Sequence, residues 1–459
     1  MSFITYDIVF LVLFTLFVVI FLYKRKRNLK REGLLYLYRT KVGIRFIEWA
    51  NNKYGKILKK LQYVIIASGY FLMFFGLWFI IKATYLYLTS PYIAKALKVP
   101  IITPLVPYIT NLFNISFLPP FYFTYWIIII AIIAIPHEFA HGIFARLNKI
   151  KILSTGFGFL GPFLAAFVEQ DDKQMKKAKK FSQLSVLAAG TFANVLMTLF
   201  FGLILLLFFI TAFSPAGVNF NTYTFDAINV SAITAIGSTY FDNSTLLEIQ
   251  ANNKTYFADE QMINASLSNT SSYLMAFDDS PALRAKLSGT IYEIDGKKIR
   301  TYSDMNSTWG SYKPGDKITI TTIDNDNKNK TIYNITLAEK DGKAFLGIGF
   351  LYQKRTGFFS VFYNLFEKVK DPFVYYESRL GELGIFIFNL FWWTVLISLS
   401  VALVNMLPLG IFDGGRFFYL TIWAITGKKK IAEKAFGIST WFLLFLIFAM
   451  MIKWFMIFL

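Results

Sequence analysis

The chain has 459 residues, of which 55% are hydrophobic and 19% aromatic, with a formal net charge of +19 and no cysteine. Several long apolar runs in that composition mark an integral membrane protein and exclude a soluble globular class. Without cysteine there is no disulfide framework and no thiolate metal site, and the basic residues lie beside apolar runs, where they fix topology and meet anionic lipid headgroups rather than nucleic acid.

A first span is expected over residues 8–23, retained because no small-residue cleavage site interrupts it. Lys24-Arg25-Lys26-Arg27 opens the most basic segment of the chain, which runs on to Lys60 and belongs in the cytosol by the positive-inside rule. Residues 1–62 thus form an N-terminal span and basic loop, and residues 63–213 a first membrane domain. A second span covers 63–88, and the Pro-containing stretch 89–118 reads as an outer re-entrant or interfacial connection. A third span starts near Pro120 and carries His137-Glu138-Phe139-Ala140-His141 in its inner half, before Arg146, Lys149 and Lys151. Residues 154–169 are glycine-rich and alternating, as in a hairpin dipping toward the membrane. A basic patch from Lys173 to Lys180 precedes a fourth span over 184–213, which contains Gly190-Thr191-Phe192-Ala193-Asn194.

From 214 to 353 the chain is polar and alternating, as in Lys317-Ile318-Thr319-Ile320-Thr321, and reads as a β-rich extracytosolic insert. Asn-x-Ser/Thr sequons stand at Asn229, Asn243, Asn253, Asn264, Asn269, Asn306, Asn329 and Asn334, a pattern that fits an exported surface and that an Asn-rich composition also generates by chance. Residues 354–459 form a second membrane domain. Its 356–380 stretch, with Phe358, Phe362, Leu365 and Phe366, has the spacing of an amphipathic interfacial helix. A fifth span over 383–406 ends in Asn405-Met406-Leu407-Pro408, followed by Asp413-Gly414-Gly415-Arg416. An apolar piece over 417–425 reads as a half-helix on the cytosolic side, and the last span covers 436–458. The expected fold is a polytopic α-helical membrane protein of about six to seven spans with a β-rich insert.

The chain's two histidines both lie in the pentapeptide. On a helix, positions i and i+4 share one face, so two imidazoles can hold one Zn²⁺ while Glu138 reaches its water as general base. The short motif also occurs by chance in ordinary helices. In a membrane helix, however, ionisable groups cost roughly 2.5–3.5 kcal/mol each and are functional as a rule. Catalytic zinc takes three protein ligands, so a carboxylate must supply the third. Asp413, just after a Pro-broken span, stands out, although it also reads as the cap of the helix that follows. Glu382 and Glu169 compete with it. Asn194 in a span needs a polar partner and reads equally as interhelical glue.

His137-Glu138-x-x-His141 together with Asn405-x-x-Pro408-x-x-x-x-Asp413-Gly414 resembles the site-2 protease family of intramembrane zinc metalloproteases (peptidase M50). The 156–169 stretch and Gly190-x-x-Ala193-Asn194 are similar to family segments, with Thr191 where proline is common. The resemblance implies Zn²⁺ held by His137, His141 and Asp413, with Glu138 as the catalytic base. It also implies that Asn194 and Asn405 steady the substrate backbone or the oxyanion. The substrate would be a single-span transmembrane protein, cut inside the bilayer near the cytosolic face of a cell membrane, as in regulated intramembrane proteolysis.

Within the insert, Ser280-Pro281-Ala282-Leu283-Arg284, Ile291–Ile299 and Lys313-Pro314-Gly315-Asp316 resemble a PDZ domain. That resemblance implies a groove for a peptide partner and leaves 214–278 unexplained. Rival readings are a prenyl-peptide type of membrane protease with a Glu as third ligand, an inactive helix-binding scaffold, and a metal transporter.

Overall fold

The computed structural model describes residues 3–458 apart from 27–28, 34, 91–92, 95–96, 101, 116, 241–245, 269–271, 325–328, 353–363 and 365. Two compact units divide the chain: residues 208–385, and the residues on either side of them. Among the described residues, six helices are long and apolar enough to cross a membrane.

The first is α1 (Phe3–Lys24), whose apolar side chains are largely exposed, as a lipid-facing helix requires. It carries one buried polar residue, Asp7, at 2% exposure. The basic segment is not an irregular loop. Leu29–Glu32 (β1) and Leu35–Thr40 (β2) form a hairpin turned at Gly33, whose φ of 61° suits glycine. The rest of it joins the second span as one helix, α2 (Val42–Thr89, 48 residues). Helical spacing explains the continuity: Ile44, Ile47, Leu58, Leu61 and Ile65 pack inward on one face, while Lys53, Lys56, Lys59 and Lys60 are exposed.

Between α2 and the next span the described chain is mostly irregular, and Ile109–Leu112 forms a helical turn. Helix α3 (Phe123–Leu147) carries the histidine pentapeptide. The glycine-rich stretch is the expected hairpin, Ile152–Leu160 (β3) and Phe163–Gln170 (β4). It joins the first hairpin in one antiparallel sheet of order β1-β2-β3-β4, so β4 is an edge strand. Helix α4 (Lys180–Ala212) is the fourth span.

The insert has two hydrophobic cores. Phe225–Asn229 (β7), Ile233–Tyr240 (β8), Leu246–Ala251 (β9), Lys254–Asp259 (β10) and Tyr273–Asp278 (β11) make a five-stranded sheet of order β7-β11-β10-β9-β8 around Ile228, Ile249 and Leu274. The second core, around Ile291, Ile294, Ile318 and Ile320, belongs to a larger sheet. Its strands are Phe213–Val218 (β5), Thr290–Ile294 (β12), Lys317–Ile323 (β14), Lys330–Thr336 (β15) and Val374–Ser378 (β19), in the order β15-β14-β12-β5-β19, with Lys297–Lys298 (β13) paired to β12. Two short pairs stand beside it, Thr222–Tyr223 (β6) with Ile348–Gly349 (β18) and Ala338–Lys340 (β16) with Lys343–Phe345 (β17). In β14 the sequence alternation is met, with Ile318 and Ile320 buried and Lys317 and Thr319 exposed. Asp295-Gly296 is the expected tight turn, both residues at positive φ. Helix α5 (Tyr302–Trp309) follows, closed by a capping box of Thr301 and Asp304.

The amphipathic helix expected over 356–380 is not continued at its end. Phe358, Phe362 and Leu365 lie outside the described residues, and residues 374–378 are strand β19. Val374-Tyr375-Tyr376 is β-prone, and pairing with β5 satisfies the backbone that a lone helix end would leave open. Sequon residues Asn243 and Asn269 also lie outside the described residues.

The chain closes with α6 (Gly381–Asn405), α7 (Asp413–Thr426) and α8 (Lys429–Phe458). At 14 residues α7 is about 21 Å long, too short to span a bilayer, as expected of a half-helix. The membrane core gathers α2, α3, α4, α6 and α7 around Ile65, Met73, Phe144, Ala188, Met406 and Phe417.

Asp7 ties α1 to α3. Its carboxylate accepts from the Phe123 and Thr124 N–H groups (2.8 and 2.9 Å), from Tyr108 Oη (2.6 Å) and from Thr124 Oγ1. The Phe123 and Thr124 N–H groups are orphan donors of the α3 N-terminus, satisfied from another helix. Asp7→Ala leaves them buried and unpaired, and is expected to destabilise the detergent-solubilised protein by about 2–4 kcal/mol. A lowered thermal unfolding midpoint would show it, with Asp7→Asn falling between variant and wild type.

Candidate metal centre

Helix α3 runs through an apolar stretch and keeps its helical form across Pro136, which removes one backbone donor just before the pentapeptide. His137 and His141, one turn apart, bring their Nε2 atoms to 3.1 Å from each other. His137 is 7% exposed. The outer face of each ring is held by α4. His141 Nδ1 lies 2.7 Å from the Val186 carbonyl oxygen, which can only accept. The proton is therefore on Nδ1, and Nε2 keeps its lone pair for a metal.

His137 Nδ1 lies 3.0 Å from Nδ2 of Asn194, a fully buried residue whose Oδ1 has no partner. Half a turn of that amide gives Oδ1 the His137 Nδ1 proton and removes the orphaned acceptor. This is the arrangement a metal-bound imidazole needs. The Asn194 main-chain oxygen is itself bonded by Ser398 Oγ and Thr198 Oγ1, both at 2.9 Å. Gly190 lies against both rings. A Cβ there would sit 2.7 Å from His137 Nε2 and closer still to His141 Nε2, so the rings occupy the space a side chain would take.

Asp413 comes from the broken segment between α6 and α7. Gly414 and Gly415 pack so tightly on the carbonyls of Met406, Leu407 and Leu409 that a Cβ at either would collide with backbone. The loop thereby folds over the first turn of α7. Phe412 is the N-cap and Asp413 the first helical residue, so the capping reading does not hold. Instead Asp413 Oδ2 lies 3.2 Å from His141 Nε2 and 3.6 Å from His137 Nε2. One ligand atom from each of the three residues falls within 4.8 Å of the others, the spacing of a metal site. Two imidazoles and one carboxylate match the protein donor set of catalytic zinc.

The competing carboxylates are elsewhere. Glu169 on β4 is held by Arg39 (2.8 Å) and Ser154 Oγ (2.5 Å), and Glu382 is exposed in the first turn of α6. Asn405 is the last residue of α6, and among the described contacts it has no bond to the three-residue cluster. Glu138 accepts at Oε2 from the Val168 N–H of β4 (3.0 Å), which fixes the carboxylate beside the hairpin. Sequence reasoning missed the Val186 carbonyl and the contact role of Gly190. The first carries no side-chain signal, and the second was visible only as a small residue near Asn194.

Loss of the His137 support is expected to lower affinity for added Zn²⁺ about 10–100-fold in Asn194→Ala, measured by competition with a chromophoric chelator. Gly190→Ala, which drives a methyl into both rings, is expected to reduce bound metal to trace levels in elemental analysis of folded protein.

The geometry agrees with comparisons to known proteins. The model of peptidase family M50 matches residues 125–450. A Methanocaldococcus jannaschii protein described as uncharacterized is 32% identical over 200 residues, covering 42% of this chain and 50% of its own length. A Fusobacterium nucleatum protein, named provisionally as a zinc metalloprotease, is 26% identical over 179 residues, covering 32% of this chain and 52% of its own length. The chain spans about half the length of the curated relatives it matches. With the family model covering more than half of the sequence, this chain belongs to peptidase family M50, a family of membrane metalloproteases.

Proposed function

We propose that this protein is an intramembrane zinc endopeptidase of the site-2 type, hydrolysing a peptide bond within the transmembrane helix of a single-span substrate. The observation that carries the reading is the convergence of His137, His141 and Asp413 on one point, with Glu138 on the same helix turn. Zinc held there supplies a Lewis acid that polarises the scissile carbonyl and makes water nucleophilic near neutral pH. Glu138 takes a proton from the attacking water as its oxygen bonds to the carbonyl carbon. As the C–N bond breaks, the proton passes to the leaving amine. The burial of Asn194 and its 3.0 Å contact with His137 Nδ1 support a role in holding that ring. Asn405 is left as a candidate for the substrate backbone.

The substrate helix must open, since its carbonyls are bonded internally. Strand β4 offers the opened segment a partner. The Val168 N–H points to Glu138, so it lies on the edge away from β3. By the two-residue period of a strand, the N–H groups of Ala166 and Leu164 lie on that edge as well. An extended peptide pairing along this edge would pass Glu138.

The basic segment 24–62 supports a cytosolic location for that loop and an extracytosolic one for residues 214–353. The β12–β13 hairpin, the Ser280-capped turn and β14 support the PDZ likeness of the insert, with a peptide partner at its groove.

Cleavage of a panel of transmembrane substrates by purified protein tests the reading. Activity should be lost with chelator and restored by Zn²⁺. Glu138→Gln should lower kcat by about 10²–10⁴ with metal still bound, and Asp413→Ala should lose the metal. Cleavage indifferent to chelator and to Glu138→Gln would overturn it. Because the chain has no cysteine, single cysteines report topology. One at Lys26 should react with an impermeant maleimide from the cytosolic side only, and one at Lys254 from the opposite side only.

A further inference from the structure

The insert contains a pocket of about 540 Å³, far in sequence from the histidines, formed where β5 meets β12 and β19. One wall is the β5 backbone at Ser214–Ala216. The others carry Lys298, Arg300, Asp304, Glu377 and Arg379. The three cations are exposed, and among the described residues none of them has an acidic side-chain partner. Three other cations of the same unit are held by side chains: Arg284 is clasped by Asp279 (2.5 and 2.6 Å), Lys340 by Asp278 (2.8 Å), and Lys330 lies over the Tyr292 ring at 4.7 Å. Of the two acids in the pocket, Asp304 is committed to the start of α5, its Oδ2 accepting from the Arg300 and Thr301 N–H groups at 3.1 Å each. Glu377 is the one uncommitted carboxylate.

The chain places this pocket beside the ends of two apolar helices. Strand β5 begins at Phe213, directly after α4 ends at Ala212, and Arg379 stands two residues before α6 begins. The Arg379 N–H donates to the Ala212 carbonyl at 2.8 Å, which ties the two span ends together. At ~3.3 Å per residue of strand, Ser214 follows the apolar run of α4 by about 7 Å, where a polar headgroup layer would flank the hydrocarbon core. Aromatic residues cluster at the same level: Phe209 of α4 packs on Tyr376 of β19 at 5.0 Å, next to Tyr375. Such rings favour the membrane–water boundary.

We propose that this pocket binds the phosphate-bearing headgroup of an anionic membrane lipid, with Lys298, Arg300 and Arg379 meeting the phosphate. Arginine suits such a site because its planar fork matches phosphate oxygens. Glu377 limits the affinity by repelling the anion. The proposal does not depend on the protease reading.

The test uses the full-length protein in a neutral detergent, with native mass spectrometry reading the most tightly retained lipid against added phosphatidylglycerol, phosphatidylcholine or water-soluble glycerol phosphate. Phosphatidylglycerol is expected to bind at least tenfold more tightly than phosphatidylcholine, and glycerol phosphate to compete only weakly. The combined Lys298→Gln, Arg300→Gln and Arg379→Gln variant should lose that preference. Lys298→Arg with Arg300→Lys and Arg379→Lys should keep it within about threefold, and Glu377→Gln should strengthen it. If the triple glutamine variant does not fold, Arg300→Gln and Arg379→Gln singly should each weaken binding about threefold. Equal affinity for the two lipids, or unchanged retention in these variants, would overturn the proposal. So would glycerol phosphate or an acidic peptide binding as tightly as the lipid, because the occupant would then be a soluble anion or a protein segment.

Discussion

The space left by the missing side chain of Gly190 is the constraint on which the metal-binding geometry rests. Both imidazoles lie in it, so α3 and α4 come close enough for the Val186 carbonyl and the Asn194 amide to reach the outer ring nitrogens. Helices in lipid have little hydrophobic reason to associate, and small residues let them gain packing and polar contacts instead. The same device recurs at Gly69, where a Cβ would lie 2.9 Å from the Ala188 methyl. It recurs again at Gly414 and Gly415, where the segment bearing Asp413 folds onto its own backbone.

A second constraint follows from the solvent. Each polar group in the membrane unit needs a partner, because hydrocarbon offers none. Asp7 meets the donors at the start of α3, and Glu169 meets Arg39 and Ser154. Arg416, one turn beyond Asp413, donates to Gln183 Oε1 at 3.3 Å, and Lys180 Nζ donates to the Trp423 carbonyl at 3.1 Å. These last two bonds run between α4 and α7, the helices that bear the ring supports and the carboxylate. The network that makes polar residues tolerable in the membrane therefore also holds the ligand set in register.

The hairpin sheet extends this logic. A β-sheet beside membrane helices leaves edge groups to satisfy, and Glu138 takes one of them, the Val168 N–H. A residue expected to act as a base is thus held by the backbone of an edge strand, which couples the position of β4 to that of the proton acceptor.

Much of this could be read from the residues. The spans, the 154–169 hairpin, the β-rich insert and the His137/His141 pair follow from hydropathy, turn glycines, alternation and i,i+4 spacing, which are local properties. The β1–β2 hairpin escaped notice because its basic residues masked a short alternating pattern, and its pairing with β3 joins segments more than a hundred residues apart. The strand at 374–378 looked helical because its aromatics suit either period, and only pairing with β5 decided it. For the third ligand the sequence left Asp413, Glu169 and Glu382 open. The choice fell to tertiary structure, because the Gly414-Gly415 turn and the α4 backbone place one carboxylate 3.2 Å from His141 and leave the other two elsewhere. The residue types that bind metal are written in the chain, but the distances between them come from packing across helices that no local pattern records.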